Sequence, residues 1–359
     1  MPPLPPQSAE ENPSGANALT SPEELAAAGL IGDDRIAALK KVAERYAIAV
    51  TPAVAQLIDR SDPEDPIARQ FLPSEAELDS RSEQRSDPIG DERHTAVRGI
   101  VHRYRDRVLL KLTLICPVYC RFCFRREMVG PGAGQILSAG ETDTALSYIE
   151  THPEIWEVIL TGGDPLMLSP RRLAAVTRRL ASIEHIKVIR WHSRVPVADP
   201  ARISTEMVNA VICAKATWLV LHINHPRELS GAVIAAAAKF IDAGIPVLSQ
   251  SVLLKGVNDN LNVLQLLMRG LVAARIKPYY LHHMDLAPGT AHFRSSIAQG
   301  QALAAELRRN ISGLAFPHYV LDIPGGYAKA QLTPPDVELN GSAVRLKDAE
   351  GVWHDYPDF

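Results

Sequence analysis

Three of the four cysteines fall within one short stretch, spaced C-x3-C-x2-C at Cys116, Cys120 and Cys123. Thiols crowded into one loop point to a metal, because a disulfide-stapled secreted chain spreads an even set of cysteines along its length. Three thiolates can ligate three irons of a [4Fe–4S] cluster and leave the fourth open to a small chelating ligand. Structural zinc takes four protein ligands, and no fourth Cys or His is suitably near in sequence. A zinc site or a chance cluster of buried thiols remains the alternative. Cys213 stands alone and reads as a small buried hydrophobe.

Other residues carry chemistry of their own. Lys329 follows the glycine turn of PGGYA, where glycines allow close backbone approach to a ring or phosphate and the amine can form a Schiff base. Such a turn can also be only a turn. Arg103 and Arg107, in HRYRDR, have the forked donors that grip a phosphate, with Tyr104 between them. Alternatively they are surface arginines flanking a strand. Asp285 and Asp322 end the strand-like runs PYYLHHMD and YVLD. Two carboxylates meeting in one pocket suit a cation and repel an acidic group, whereas one alone is commonly a turn former. His222 and Gln250 each stand late in a strand-like run.

These residues need elements to position them. Residues 1–18 are rich in Pro, Ser, Ala and Glu and read as a disordered tail. Helical periodicity starts at Ser21, a suitable N-cap, and runs in patches to about Leu72. A polar stretch then continues to His94 as an irregular connection, so residues 19–95 form an N-terminal helical region and connection. Short β-rich runs follow at 107–114, 156–162, 187–193, 217–223, 246–254 and 277–283, with helix-like segments at 171–181, 231–244 and 261–274 between them. Strand–helix alternation means parallel βα units. Six strands give an α/β fold of partial (β/α)6, TIM-like barrel type over 96–296, and 297–359 forms a C-terminal segment with the lysine. The runner-up is an open doubly wound sheet. Either way, functional groups belong just after strand C-terminal ends.

Bulk properties exclude several classes. A formal charge of −3 over 359 residues gives no electrostatic reason to expect nucleic acid or an anionic membrane as a partner. No apolar run reaches the roughly 18 residues of a spanning helix, and MPPLPPQSAEENPSG lacks the form of a secretion signal. A cytoplasmic protein is expected.

From about Asp62 to Pro357 the sequence resembles the lysine 2,3-aminomutases, a family of radical S-adenosylmethionine (SAM) enzymes that also use pyridoxal 5′-phosphate (PLP). The likeness lies in DPEDPIARQFLP, HRYRDRVLLKLT, the cysteine loop, LTGGDPLML, INHPREL, QSVLLKGVND, PYYLHHMDLAPGTAHFR and LDIPGGYAK, in that order. It implies an isomerase that moves an amino group between C2 and C3 of lysine, started by a SAM-derived radical that takes a hydrogen from C3. The implied roles are Cys116, Cys120 and Cys123 for the cluster, and Lys329, Arg103, Tyr104 and Arg107 for PLP. For SAM they are Phe122 beside the adenine, Gly162, Gly163 and Asp164 at the methionyl amino group, and His222 and Gln250. Arg125 clamps the substrate carboxylate, Arg126 beside it is structural, and Asp285 and Asp322 receive the ε-ammonium. An electron donor such as flavodoxin or ferredoxin and a homo-oligomer are also implied.

Three features depart from the family pattern. Tyr327 and Ala328 stand where glycines are usual, His282 replaces a tyrosine, and no cysteine-bearing, zinc-binding tail follows before Phe359. A related branch makes β-lysine to modify elongation factor P, and this chain sits between the two types. A non-enzymatic iron–sulfur or zinc protein on a degenerate scaffold is the reading from another class; Lys329, Arg125, Asp285 and Asp322 together argue against it. Anaerobically reconstituted protein is expected to hold about four irons per chain and to lose them in Cys120→Ala. Stoichiometric zinc without iron, measured by metal analysis, would refute the cluster.

Overall fold

The computed structural model describes residues 18–79, 81–132, 135–340, 343–348 and 350–357. The tail expected over 1–18 lies outside them except for Ala18. Ser21 caps the first helix, Pro22–Ala27, by accepting from the Glu24 N–H, and helices Ile36–Arg45 and Pro66–Phe71 follow. These pack into a small core of their own around Leu25, Leu39, Val42, Ile67 and Phe71, with Val118 of the cysteine loop included.

A ten-stranded sheet follows, with its strands in sequence order. They are β1 (Thr95–Val97), β2 (Ile100–Tyr104), β3 (Arg107–Thr113), β4 (Glu157–Gly162), β5 (Val188–Ser193), β6 (Ala216–His222), β7 (Val247–Val252), β8 (Lys277–His282), β9 (His318–Asp322) and β10 (Lys329–Gln331). Pairing is parallel from β3 through β9 and antiparallel outside that range. The six runs read from the sequence are β3 to β8. The segment from 297 does not stand apart: helix Ile297–Asn310 leads into β9, which extends the parallel set, and β10 turns back along it. A separate three-stranded antiparallel sheet, β11 (Val337–Asn340), β12 (Ala343–Lys347) and β13 (Trp353–Tyr356), ends the chain.

Alternation along the strands separates two faces. Val108, Leu110, Leu160, Ile189, Trp191, Leu219 and Leu221 join the main core with helical Leu173, Val176, Leu180, Phe240, Leu264 and Leu271. The other face carries Arg107 and Lys111, Arg190 and His192, His222, Gln250, and His282. Polar groups gathered on one face of a parallel sheet need a lumen, and the sheet curls to make one. Arg103 on β2, second from one edge, lies 3.4 Å from Asp322 on β9, second from the other. Beside them the Gly325 N–H donates to Pro88 O at 3.1 Å.

The polar connection before β1 is irregular, as expected, and largely exposed, but Glu77 and residues 88–91 are buried. Glu77 is fully buried, where it receives the Arg121 guanidinium (Nε–Oε1 2.9 Å) and Arg126. Arg126 also donates to Arg121 O and Gly289 O, at 2.8 and 3.1 Å, which gives it a structural role. Among the described residues no helix is long and apolar enough to cross a membrane. Removing one partner of a buried ion pair leaves uncompensated charge, so Glu77→Ala is expected to destabilise the metal-free protein by about 3–5 kcal/mol. A denaturant midpoint within error of the parent would show that the pair is dispensable.

Candidate active site

The cysteine loop leaves the C-terminal end of β3, and the turn after β4 lies directly against it. The Gly163 N–H donates to Thr113 O and the Asp164 N–H to Ile115 O, both at 2.8 Å. A Cβ on Gly163 would sit 2.4 Å from Ile115 O, and Gly162 has φ of 123°, so both positions require glycine. The Asp164 carboxylate accepts from the Leu166, Arg194 and Val195 N–H groups and the Ser193 hydroxyl, at 2.6–3.1 Å. The resemblance puts this acid against an ammonium. Here it is saturated by its own chain and ties the end of β4 to the end of β5. The backbone of Gly162 and Gly163 remains as the part of the turn lying against the loop.

All three cysteines are free and half-buried. Burial pushes each thiol up, Cys123 to about 11; at Cys120 the Arg194 guanidinium works against that rise. Among the described residues, no three Cys, His, Asp or Glu side chains are placed to hold a single metal ion. Three thiols spaced along one loop are a donor set that suits a polynuclear cluster, whose ligands are spread over several metal atoms. Phe122 packs edge-on against His222 (centroids 5.6 Å apart) and Phe293 (6.0 Å). His222 Nε2 is buried without a partner, and His222 pairs in register with Gln250. An orphaned imidazole nitrogen behind the cysteine loop is a fit for a polar ligand such as SAM.

Deeper in the lumen, Asp91 holds three cations. Arg125 Nε donates to it at 2.9 Å, and Arg103 and Lys111 lie 3.4 and 3.6 Å away. Burial opposes its ionisation, yet Arg125, Lys111 and Arg103 keep the carboxyl below its ordinary range. Because Asp91 engages Nε, the terminal amino groups of Arg125 stay available for a carboxylate. Nothing in the sequence marked Asp91 within the polar connection.

Lys329 begins β10 and its ammonium pairs with Asp322, which also meets Arg103 and, at 3.8 Å, His282 Nδ1. Asp285 is half-buried in the same lumen, where burial first and then the Asp322 charge push its carboxyl up to about 7; Lys329 works the other way. His282 is held neutral, at about 3, by burial and by Lys329. Lys329 Nζ lies 5.4 Å from the centroid of Tyr280, whose phenol also feels Arg190 and Arg107. Arg107 stacks on Tyr104 at 3.8 Å and pairs with Asp106 at 2.7 Å. Arg103 Nε is buried without a partner, which leaves an unmet donor for an anion such as a phosphate, and His192 Nε2 is buried without a partner as well. His192, Arg190, Tyr280 and Arg194 were not singled out in sequence, although His192 and Arg194 flank the C-terminal end of β5, where the strand-end rule applies.

The glycines before Lys329 form a tight turn. Gly325 and Gly326 have φ of 89° and 74°, and a Cβ on Gly326 would meet Ile89 O at 2.4 Å. They let the turn close on the backbone of the connection, where Gly326 O contacts His94 Nε2 at 3.2 Å. Tyr327 points outward onto the Arg93 guanidinium, 4.5 Å away, so its bulk is accommodated at the surface. Cys213 packs against the main core and contacts Thr217 Oγ1 at 3.6 Å.

A curled parallel sheet with a three-cysteine loop after its first parallel strand defines a radical SAM protein, and residues 110–267 match the Radical SAM superfamily. Within that class, the chain belongs to the lysine 2,3-aminomutase family and is an isomerase. It is 40% identical over 326 residues to L-lysine 2,3-aminomutase of Acetoanaerobium sticklandii, covering 89% of this chain and 78% of that one. To the enzyme of that name from Clostridium subterminale it is 38% identical, covering 87% and 75%. To that from Escherichia coli (strain K12) it is 36% identical, covering 90% and 94%. Among solved structures, a radical SAM methyltransferase from Sphaerobacter thermophilus aligns with a TM-score of 0.42 and 18% identity, over 62% of this chain and 68% of that chain.

The charge coupling gives a test. Asp285 is expected to titrate near pH 7, protonated below and ionised above. Asp322→Asn removes a repelling carboxylate and releases Lys329, so it should move the Asp285 midpoint down. Carboxyl-labelled NMR titration reads this directly, and an unchanged midpoint would show that the two acids do not face each other.

Proposed function

We propose that the protein interconverts L-lysine and L-β-lysine by 2,3-migration of the amino group, with a [4Fe–4S] cluster, SAM and PLP as cofactors. The observation that carries this reading is the ammonium of Lys329 lodged on Asp322 with Asp285 beside it. The lumen already accommodates one primary ammonium against Asp322, with the Asp285 carboxyl near enough to feel its charge. If Lys329 is engaged by PLP, that place is open to the ε-ammonium of a substrate. Three relatives named L-lysine 2,3-aminomutase support the same substrate.

Each residue then has one task. Cys116, Cys120 and Cys123 would hold the cluster; the Gly162–Gly163 backbone, His222 and Gln250 would hold SAM, with Phe122 as the apolar wall. Lys329 would hold PLP, with Arg103, Arg107 and Tyr104 toward its phosphate. When bound, the cluster with SAM supplies a carbon radical, and PLP supplies a conjugated system that stabilises an unpaired electron beside nitrogen. Arg125, its fork aimed by Asp91, fixes the substrate carboxylate, while Asp285 and Asp322 fix the far end. Held at both ends, the substrate presents C3 in one orientation inside the curled sheet.

The reading extends to setting and partners. Free thiols suit the reducing cytoplasm, and reduction of the cluster calls for an external one-electron donor of the flavodoxin or ferredoxin kind. Leu339 and Tyr356 of the terminal sheet, and Val352 just before its last strand, are more than half exposed, which favours a homo-oligomer.

Two measurements test the assignment. Borohydride reduction of PLP-loaded protein is expected to attach pyridoxyl to Lys329, and label on Lys255 instead would overturn that role. Asp285→Asn should lower kcat/KM for L-lysine by roughly 30- to several-thousand-fold, the effect of losing about 2–5 kcal/mol from a buried charged contact, with SAM binding intact. Near-parent lysine turnover in that variant would make the acid structural and the substrate wrong.

A further inference from the structure

We propose that Arg194 tunes the reduction potential of the cluster through a charge-assisted hydrogen bond to Cys120, opposed by Glu228. This rests on the reading that Cys116, Cys120 and Cys123 hold a [4Fe–4S] cluster. Arg194 follows β5 directly, and its Nη1 donates to Cys120 Sγ at 3.1 Å. Its other terminal nitrogen donates to Gln70 Oε1 at 3.0 Å and to Glu228 Oε2 at 2.7 Å. The guanidinium packs between the rings of Phe71 and Phe122, 4.6 and 5.5 Å from their centroids. Its backbone N–H is fixed on Asp164 at 2.6 Å. Both terminal nitrogens of this side chain are thus engaged, while Nε is buried without a partner, and the donor aimed at the sulfur is held in place.

The physical consequence follows from charge. Reduction adds one electron from an external donor to the cluster; no bond forms or breaks and no proton is transferred. The ligand sulfurs become more electron-rich, so a cationic donor on one of them binds the reduced state more strongly and raises the potential. Glu228 limits the gain, because its carboxylate neutralises the same guanidinium. Among the described residues, Cys116 and Cys123 receive no comparable side-chain hydrogen bond, so the effect is confined to one ligand. Arg194 acts through Cys120 and is a positioning residue.

Arg194→Gln and Glu228→Gln should move the potential in opposite directions, a signature that loss of structure would not produce. Glutamine at 228 keeps the oxygen that accepts from the Asn224 and His225 N–H groups, at 3.0 and 2.9 Å, so the local turn is retained. The experiment is a redox titration of each reconstituted protein, followed by EPR of the reduced cluster with iron content measured in parallel. Arg194→Gln is expected to lower the reduced-to-oxidised ratio at a fixed potential about tenfold, a shift of about 59 mV for one electron. Glu228→Gln is expected to raise it, and Arg194→Lys, which keeps charge but loses the fork, to fall between parent and Arg194→Gln. Iron-loaded variants with unmoved midpoints, or midpoints moving together, would overturn the proposal. Should Arg194→Gln lose its iron, the Glu228→Gln and Arg194→Lys midpoints decide in the same way. Absence of iron from the parent protein would instead overturn the cluster reading itself.

Discussion

The lumen of this protein depends on one buried carboxylate, Asp91, which holds Arg103, Lys111 and Arg125 together inside a curled sheet. Three cations at close range in a low-dielectric interior repel one another strongly, and each carries a desolvation cost. A carboxylate among them removes most of that penalty and sets their directions at the same time. Arg125 is gripped through Nε, so its fork points away from Asp91. Arg103 is drawn between Asp91 and Asp322 and so links the connection before β1 to β9. The two edges of the sheet meet because this charge network spans the gap between them.

The glycine clasp completes that closure. Gly90, Gly325 and Gly326 all lie in the left-handed region, and their backbones approach so closely that a Cβ on Gly90 would meet Gly325 O at 2.5 Å. The turn sets the register in which Lys329 enters β10 opposite Asp322. The same contact that shuts the barrel therefore places the Lys329 amine beside the Asp322 carboxylate. At the other end of the lumen, Glu77 and Arg194 fasten the cysteine loop to the N-terminal helices. Without the N-terminal region, Arg121 and Arg126 would be buried cations lacking Glu77, and Arg194 would lose its hydrogen bond to Gln70.

The sequence by itself determined the local and repetitive features. Short strands with one apolar face, alternating with amphipathic helices, leave a parallel sheet with covered outer faces as the solution, and β3 to β8 fall where that pattern puts them. The C-x3-C-x2-C spacing placed three thiols on one loop, and strand period set the side-chain direction of His222, Gln250 and Asp322 at the ends of β6, β7 and β9, whereas Asp285 lies beyond the end of β8. Only the tertiary structure decided which charges meet. Asp91 and Glu77 lie in a polar stretch with no periodicity, and a carboxylate there looks solvated until distant arginines are folded onto it. Arg194 looks like a loop residue until Cys120, Gln70 and Glu228 converge on it. Asp164 and the PGG turn were legible as special positions, yet their partners, the end of β5 and the backbone at Ile89–Gly90, come from far along the chain. A long-range ion pair or backbone contact leaves no local pattern, since its energy comes from burial and distance, and both exist only once the chain has folded.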